Sequence, residues 1–264
     1  MHDAMMRHLF DLRHEPIDQR IRAVLDGTTV VDSDRALLVW EPRRVVASYA
    51  VPAADVVAAV EAAGPVTPAA EPPILHPGIP FTVHSSAGES LTVAGRAGAG
   101  FRPDDPDLGD HVVLDFDAFD TWYEEDEEVV AHPREPFHRV DTRRSTRHVR
   151  IEARGQLLAE SRRPLMLLET GLPTRFYLPR ADVVAPVLPS DRVTWCAYKG
   201  QAGYLSFEAG ADLAWTYPDP LPGVRQIAGL VAFFDELVDV TVDGQARQRP
   251  DTEFAKAIIE EVGL

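Results

Sequence analysis

The chain has 264 residues, of which 45% are hydrophobic and 26% charged, and it carries a formal net charge of −16. This length suits one large domain or two small ones, and the hydrophobic fraction is enough for a sizeable buried core. Because so acidic a chain repels phosphate backbones, we expect no nucleic-acid partner.

The single cysteine, Cys196, excludes an intrachain disulfide and a four-cysteine zinc site. No run approaches the roughly 20 apolar residues that span a bilayer. The N-terminal sequence MHDAMMRHLFDLRHEP contains acids and lacks the apolar core of a signal peptide. These features predict a soluble, cytoplasmic protein without a membrane partner, a metal site or a cofactor.

In chain order, the first half contains one helical pattern and one insertion. Residues 53–63, AADVVAAVEAA, are typical of a helix. Residues 61–80 are rich in proline and alanine, which predicts a surface loop. Residues 126–145 pass from acidic to basic, and we interpret them as a solvated linker. The linker histidines, His132 and His138, match no metal-ligand spacing.

The second half consists mainly of short strand patterns. A hairpin is predicted about Arg154–Gly155, and further short apolar runs include LMLLE, RFYLP, VTWCAY, YLSFEA and LVAFFDE. Pro250 and Asp251 signal the start of a C-terminal helix. Closely spaced short strands with turn signals between them predict an all-β, mainly antiparallel fold.

The two halves also repeat one another. Residues 20–57 align with residues 148–184, and the matches include Gly27 with Gly155, Ser33 with Ser161, Arg35 with Arg163, Glu41 with Glu169 and Tyr49 with Tyr177. Matches in register predict a duplication of one small β domain. The predicted organisation is a first domain at 18–125, the linker at 126–145, a second domain at 146–246 and a terminal helix at 247–264.

Three segments of the second half resemble a known bacterial family, the domain of unknown function 427 family, in its tandem-domain form. They read ESRRPLMLLETGLPTRFYLPRADV, YKGQAGYLS and DLAWTYPDPLPGVRQIAGLVAFFDE. The resemblance implies two β-tent-like domains, each with two antiparallel sheets meeting at an angle. Several β-tent relatives hold zinc with cysteines, which this chain lacks. No glycine-rich phosphate loop or pair of metal-binding aspartates supports a nucleotidyltransferase activity.

The second copy concentrates the residues that could carry chemistry. Arg175 could hold a carboxylate or phosphate, Glu169 could act as a general base, and Lys199 could bind an anion or form a Schiff base. The predicted catalytic residues are Glu169 and Lys199. Arg175 and four aromatic residues are predicted to bind a flat or anionic small molecule, the four being Tyr177, Tyr204, Trp215 and Tyr217.

Each of these residues also has a structural interpretation. Glu169 and Arg175 could form an ion pair, the aromatic residues could fill the core, and Lys199 could lie in an exposed turn. The first copy has His84, Ala47 and Gly100 where the second has Lys199, Arg175 and Trp215, so the copies are not equivalent sites.

Three functions remain open from the sequence. The first is a small-molecule enzyme or enzyme-like binder, and the second is a non-catalytic ligand sensor. The third is a structural module that exposes strand edges and forms a homodimer. Turnover distinguishes the first from the second, and a filled interior between the sheets favours the third.

Overall fold

A computed structural model describes residues 8–69, 71–251, 256 and 259. The chain divides into two compact units, Met1–Glu135 and Pro136–Leu264. Strands dominate both units and pair antiparallel, so the predicted all-β class is confirmed. In the described part of the chain, no helix is long and apolar enough to cross a membrane.

The strands of the first unit form two sheets, with orders β1-β4-β5-β9-β8-β7-β6 and β11-β10-β2-β3. Their bounds are β1 Arg13–Pro16, β2 Ile21–Leu25, β3 Thr28–Ser33, β4 Leu37–Trp40, β5 Ser48–Pro52, β6 Val60–Val66, β7 Gly88–Val93, β8 Arg96–Pro103, β9 His111–Leu114, β10 Thr121–Glu124 and β11 Glu127–Val129. Successive side chains of a strand point to opposite faces, so Ile21, Ala23 and Leu25 enter a core that also contains Trp122.

The strands of the second unit form three sheets, with orders β12-β15-β16, β14-β13-β21-β22 and β17-β18-β19-β20. Their bounds are β12 Val140–Arg144, β13 Val149–Ala153, β14 Gln156–Ser161, β15 Leu165–Glu169, β16 Arg175–Tyr177, β17 Leu188–Cys196, β18 Gly200–Phe207, β19 Gly210–Thr216, β20 Val231–Phe233, β21 Asp239–Val242 and β22 Gln245–Ala246. A bridge between Leu178 and Val231 continues β16 towards β20. With that bridge, the strand order of the second unit repeats that of the first, as a duplication requires.

A shared polar contact explains part of the sequence repeat. The Ser33 hydroxyl donates to Asp55, whose carboxylate also pairs with Arg35. In the second unit the hydroxyl of Ser161 donates to Asp182 in the same way, and Arg163 completes the contact. These matching residues therefore hold the same turn in both units.

The strand pairing corrects the alignment at two places. In β8, Phe101 rather than Gly100 is the counterpart of Trp215, because Phe101 lies opposite Val113 and Trp215 lies opposite the equivalent Ala232. The other place is β5. Tyr49 lies opposite Leu38, whereas Tyr177 lies opposite Leu165 and Phe176 lies opposite Met166. Phe176 is therefore the counterpart of Tyr49, and Ser48 rather than Ala47 is the counterpart of Arg175. The one-residue gap in the alignment of the two units therefore falls before β5. Strand pairing decides which face of the sheet a side chain occupies, and a tyrosine shared by the two sequences does not.

The helix expected over residues 53–63 is wrong. Ala53–Asp55 is a single 3-10 turn, and β6 begins at Val60 and extends into the predicted 61–80 insertion. β6 pairs with β7 over its length, and this tertiary pairing overrides the helical preference of the alanines.

The structure also assigns strands to both ends of the predicted linker. β11 pairs with β10 in the first unit, and β12 pairs with β15 in the second. Residues 130–139 remain between these two strands. Most of the predicted helix at 247–264 lies outside the described residues. Two residues of that segment that are described, Lys256 and Ile259, are helical.

Two glycines, Gly88 in β7 and Gly203 in β18, provide a test of packing. A Cβ at Gly88 would lie 2.2 Å from the carbonyl oxygen of Arg102 and 2.7 Å from the Phe101 ring, whereas a Cβ at Gly203 meets nothing within 4 Å. We expect Gly88→Ala to lower the stability of the first unit by about 1–3 kcal/mol, because the paired strand must shift. Urea denaturation should show Gly203→Ala close to the parent, and equal effects of the two changes would contradict this packing.

Candidate functional site

Four predicted ligand-binding residues lie together in the interior of the second unit. Tyr177, Tyr204, Trp215 and Tyr217 belong to one buried cluster, here called the aromatic cluster. The indole Nε1 of Trp215 donates to the Tyr177 hydroxyl over 3.1 Å. Each of the four side chains is buried, so they form part of the core rather than the wall of an open cleft.

The two predicted catalytic residues form a buried ion pair. Glu169 ends β15, and Lys199 lies in the turn between β17 and β18. The Lys199 Nζ lies 2.5 Å from both carboxylate oxygens of Glu169. The two side chains are only 7% and 8% exposed. Lys199 is thus no exposed turn residue, because its ammonium group is folded inward onto the carboxylate.

The pair changes the ionisation of both groups. Burial alone would raise the pKa of Glu169, but the Lys199 ammonium and the His138 ring outweigh it and lower that pKa to about 2. Burial alone would lower the pKa of Lys199, but the Glu169 carboxylate raises that pKa well above its usual value. Both groups are therefore charged at neutral pH, and neither is poised as a base or as a Schiff-base amine.

His138 joins the pair from the solvent side. Its Nε2 lies 3.1 Å from the Glu169 Oε1, and its ring stacks on Tyr198 at 4.2 Å between centroids. The His138 side chain is 20% exposed, more than Glu169 or Lys199. From the sequence, His138 is expected in a solvated linker, and its contact with Glu169 was not predicted. No local signal could have found it, because β12 and β15 bring residue 138 to residue 169 through long-range pairing.

Arg175 takes different partners from those considered in the sequence. Its Nη2 lies 2.6 Å from Glu236 and its Nη1 lies 3.6 Å from Asp235, and the guanidinium also lies over the Trp215 ring. Glu169 pairs with Lys199 instead. Among the described residues, the Nη1 of Arg175 has no hydrogen-bond partner. Asp235 and Glu236 directly follow the apolar run LVAFF and carry no sequence signal for this role.

The first unit also has a buried glutamate, Glu41, at the corresponding place, but the partners of its carboxylate differ. His84 Nδ1 lies 3.0 Å from Glu41, and the backbone amides of Ser85 and Ser86 donate to the same carboxylate. Arg44 is also within 3.5 Å of this carboxylate. Glu41 therefore holds a loop in place through backbone hydrogen bonds. For Glu169, by contrast, the partners described are side chains.

In the described ranges, no group of three or more His, Cys, Asp or Glu side chains could hold a metal ion. Cys196 is a free thiol in the strand before Lys199.

The fold and the buried charges define an all-β protein of two tandem units, the second with a buried charged cluster. Residues 141–244, in the second unit, match the family described as a domain of unknown function (DUF427). The second half of the chain is thus a DUF427 domain, and the resemblance drawn from its sequence is confirmed there. No curated protein matches the chain.

Proposed function

We propose that this chain is a small-molecule-binding protein whose ligand contacts the Glu169–Lys199 pair from the side occupied by His138. The observation that carries this proposal is a fully charged, buried pair whose carboxylate also reaches a partly exposed histidine. Tyr177 and Tyr217 of the aromatic cluster belong to the core and lie near enough to Lys199 to interact with it electrostatically.

Burying the Glu169 and Lys199 charges has a free-energy cost. Removing both ions from water costs several kcal/mol per ion, and apolar residues of similar volume are often as stabilising or more so. A buried pair is therefore a weak stabilising device, and perturbed ionisable groups cluster at functional sites. Tyr177, Tyr217 and Cys196 all interact electrostatically with Lys199, which makes this a dense group of ionisable side chains.

The chemistry of the rim indicates the class of ligand. Glu169 accepts a hydrogen bond from the flat His138 ring, which stacks on Tyr198. A flat heteroaromatic ligand with an N–H donor would reproduce both contacts if it displaced that ring. The first unit has a similar contact, in which His84 bonds to Glu41 and stacks on Phe101, but there the histidine is only 2% exposed and backbone amides also occupy the carboxylate.

We also propose a cellular compartment for the protein and a class of ligand that it does not bind. We place it in the bacterial cytoplasm, because its single cysteine gives no support to an oxidising compartment and because the resemblance of its second half to a bacterial family implies that source. Its net charge of −16 argues against a nucleic-acid ligand. Whether the bound molecule is converted distinguishes an enzyme from a ligand sensor.

A double replacement tests the proposed site. A panel of heteroaromatic bases and amides, nicotinamide and adenine among them, is titrated calorimetrically against the parent and Glu169→Met/Lys199→Met. We expect compounds that bind the parent to bind the double variant at least tenfold more weakly, because a charge-assisted hydrogen bond is worth about 1.5–3 kcal/mol. Arg163→Met, which removes an exposed pair with Asp182, is the matched control. Equal affinity for the double variant and the parent would refute the site.

A second candidate function is assembly through a sheet edge. β17 is the edge strand of its sheet, and it exposes Leu188, Val193 and Trp195, the last two by 54% and 53%. Exposed apolar side chains on an edge strand favour pairing with another chain. The mass of the protein in solution separates this function from ligand binding by a monomer.

A further inference from the structure

A surface pocket of about 310 Å³ opens in the second unit. Neither Glu169 nor Lys199 is among the residues that line it. Side chains from two sheets line it: Met166 and Phe176 come from β15 and β16, and Val242 comes from β21. The rest of the lining is polar or small and contains no Asp or Glu; it consists of Arg147, Thr174, Gln245, Ala246 and Arg247. In a chain with a net charge of −16, a pocket that carries only positive charge is unusual. We propose that this pocket binds a small organic anion.

Each arginine is oriented by a carboxylate that lies outside the pocket lining. Asp243 accepts from the Nε of Arg147 at 2.7 Å, and in the described part of the chain no other side chain forms a hydrogen bond or ion pair with this guanidinium. The two terminal nitrogens of Arg147 are therefore available, and its side chain is 50% exposed. Fork-like nitrogens of a fixed guanidinium suit the two oxygens of a carboxylate or phosphate.

The second arginine is held more tightly. Asp235 lies 3.1 Å from the Nη1 of Arg247, and the guanidinium lies over the Phe176 ring at 5.4 Å. Asp235 also faces Arg175, so its charge is shared between two cations. Phe176, Met166 and Val242 supply an apolar surface beside the arginines. The ligand therefore combines an anionic group with an apolar or aromatic part, and the volume suits a molecule of metabolite size.

The first unit shows that the fold itself does not require this pocket. By strand pairing, Trp122 of the first unit is the counterpart of Val240 in the second, and Glu124 is the counterpart of Val242. The Tyr49 hydroxyl donates to Glu124 over 2.5 Å, and the Tyr49 ring packs 5.2 Å from Trp122. In the first unit, the large Trp122 ring and the Glu124 carboxylate thus occupy the positions that correspond to the open, cationic pocket of the second unit. The difference arises from side chains alone, because the strand order is the same.

Calorimetry on the full chain at low salt tests the proposal with three probes: benzoate, phenyl phosphate and benzylamine. We expect at least one anion to bind the parent and benzylamine not to bind. Arg147→Met should weaken the anion at least tenfold, because it removes the free fork. Val242→Glu should do the same by placing a carboxylate in the pocket, as Glu124 does in the first unit. Arg163→Met, another Arg–Asp pair, should bind like the parent.

The outcomes are distinct. Binding of benzoate alone identifies a carboxylate ligand and binding of phenyl phosphate alone a phosphate ligand, and either supports the anion site. Arg147 is half exposed, so Arg147→Met tests the site even if Val242→Glu fails to fold. The proposal is overturned if neither anion binds the parent, if benzylamine binds as well, or if Arg147→Met binds like the parent. Glu169→Met/Lys199→Met should leave anion binding unchanged, so this site and the proposed heteroaromatic site stand or fall separately.

Discussion

Replacing Lys199 by methionine should lower the free energy of unfolding of the second unit by about 3–5 kcal/mol, because it leaves a charged Glu169 buried without its ammonium partner. His138 would remain, but its side chain is partly exposed and holds one carboxylate oxygen only. The loss should therefore approach that of breaking a buried pair, rather than the small effect of breaking a surface pair.

The double variant Glu169→Met/Lys199→Met is the control for this experiment. It removes both charges and keeps a similar volume, so its stability should return close to that of the parent or exceed it. Hydrogen exchange of the β15 and β18 amides reports on the second unit alone, which matters because two units need not unfold together. A Lys199→Met variant with parental protection would mean that the pair contributes nothing to the fold in solution.

The second large effect is a loss of stability in acid. The pKa of Glu169 is about 2 in the folded chain, below the ordinary value of 4.5. A folded carboxylate with a lowered pKa binds fewer protons than the unfolded one, so its stabilisation is complete above pH 4.5 and is lost as the pH falls towards 2. The shift corresponds to about 3 kcal/mol at neutral pH.

Comparison with the double variant isolates this contribution. Exposed carboxylates such as Asp243 also have lowered pKa values, and burial raises that of Asp235, but these groups are present in both proteins. We expect the stability of the parent to fall by about 3 kcal/mol more than that of Glu169→Met/Lys199→Met between pH 5 and pH 2. Urea denaturation across this range measures the difference, and parallel pH profiles would contradict a strong Glu169–Lys199 interaction.

The sequence by itself determined the local character of the fold. Alternating apolar residues predicted the strands, since side chains of an extended chain point to opposite faces. The repeat of Ser33, Arg35 and Asp55 as Ser161, Arg163 and Asp182 marked a contact that both units form. The residues of the second half also identified its family, over residues 141–244.

The helix expected near residue 53 failed because alanine content reports an intrinsic preference, which strand pairing overrides. The alignment of Tyr49 with Tyr177 failed for a related reason, since neighbouring strands set the register. Residue identity alone could not reveal a one-residue slip, although the slip moves a side chain to the opposite face of the sheet.

Only the tertiary structure decided which charges meet. Alternation predicts the face of a side chain but not its partner, and Glu169 meets Lys199 across 30 residues and His138 across 31. Arg175, predicted beside these residues, pairs with Asp235 and Glu236 instead. The anion pocket likewise depends on which side chains two sheets bring face to face. The uncharged Val242 lines it in the second unit, at the position where the first unit has Glu124.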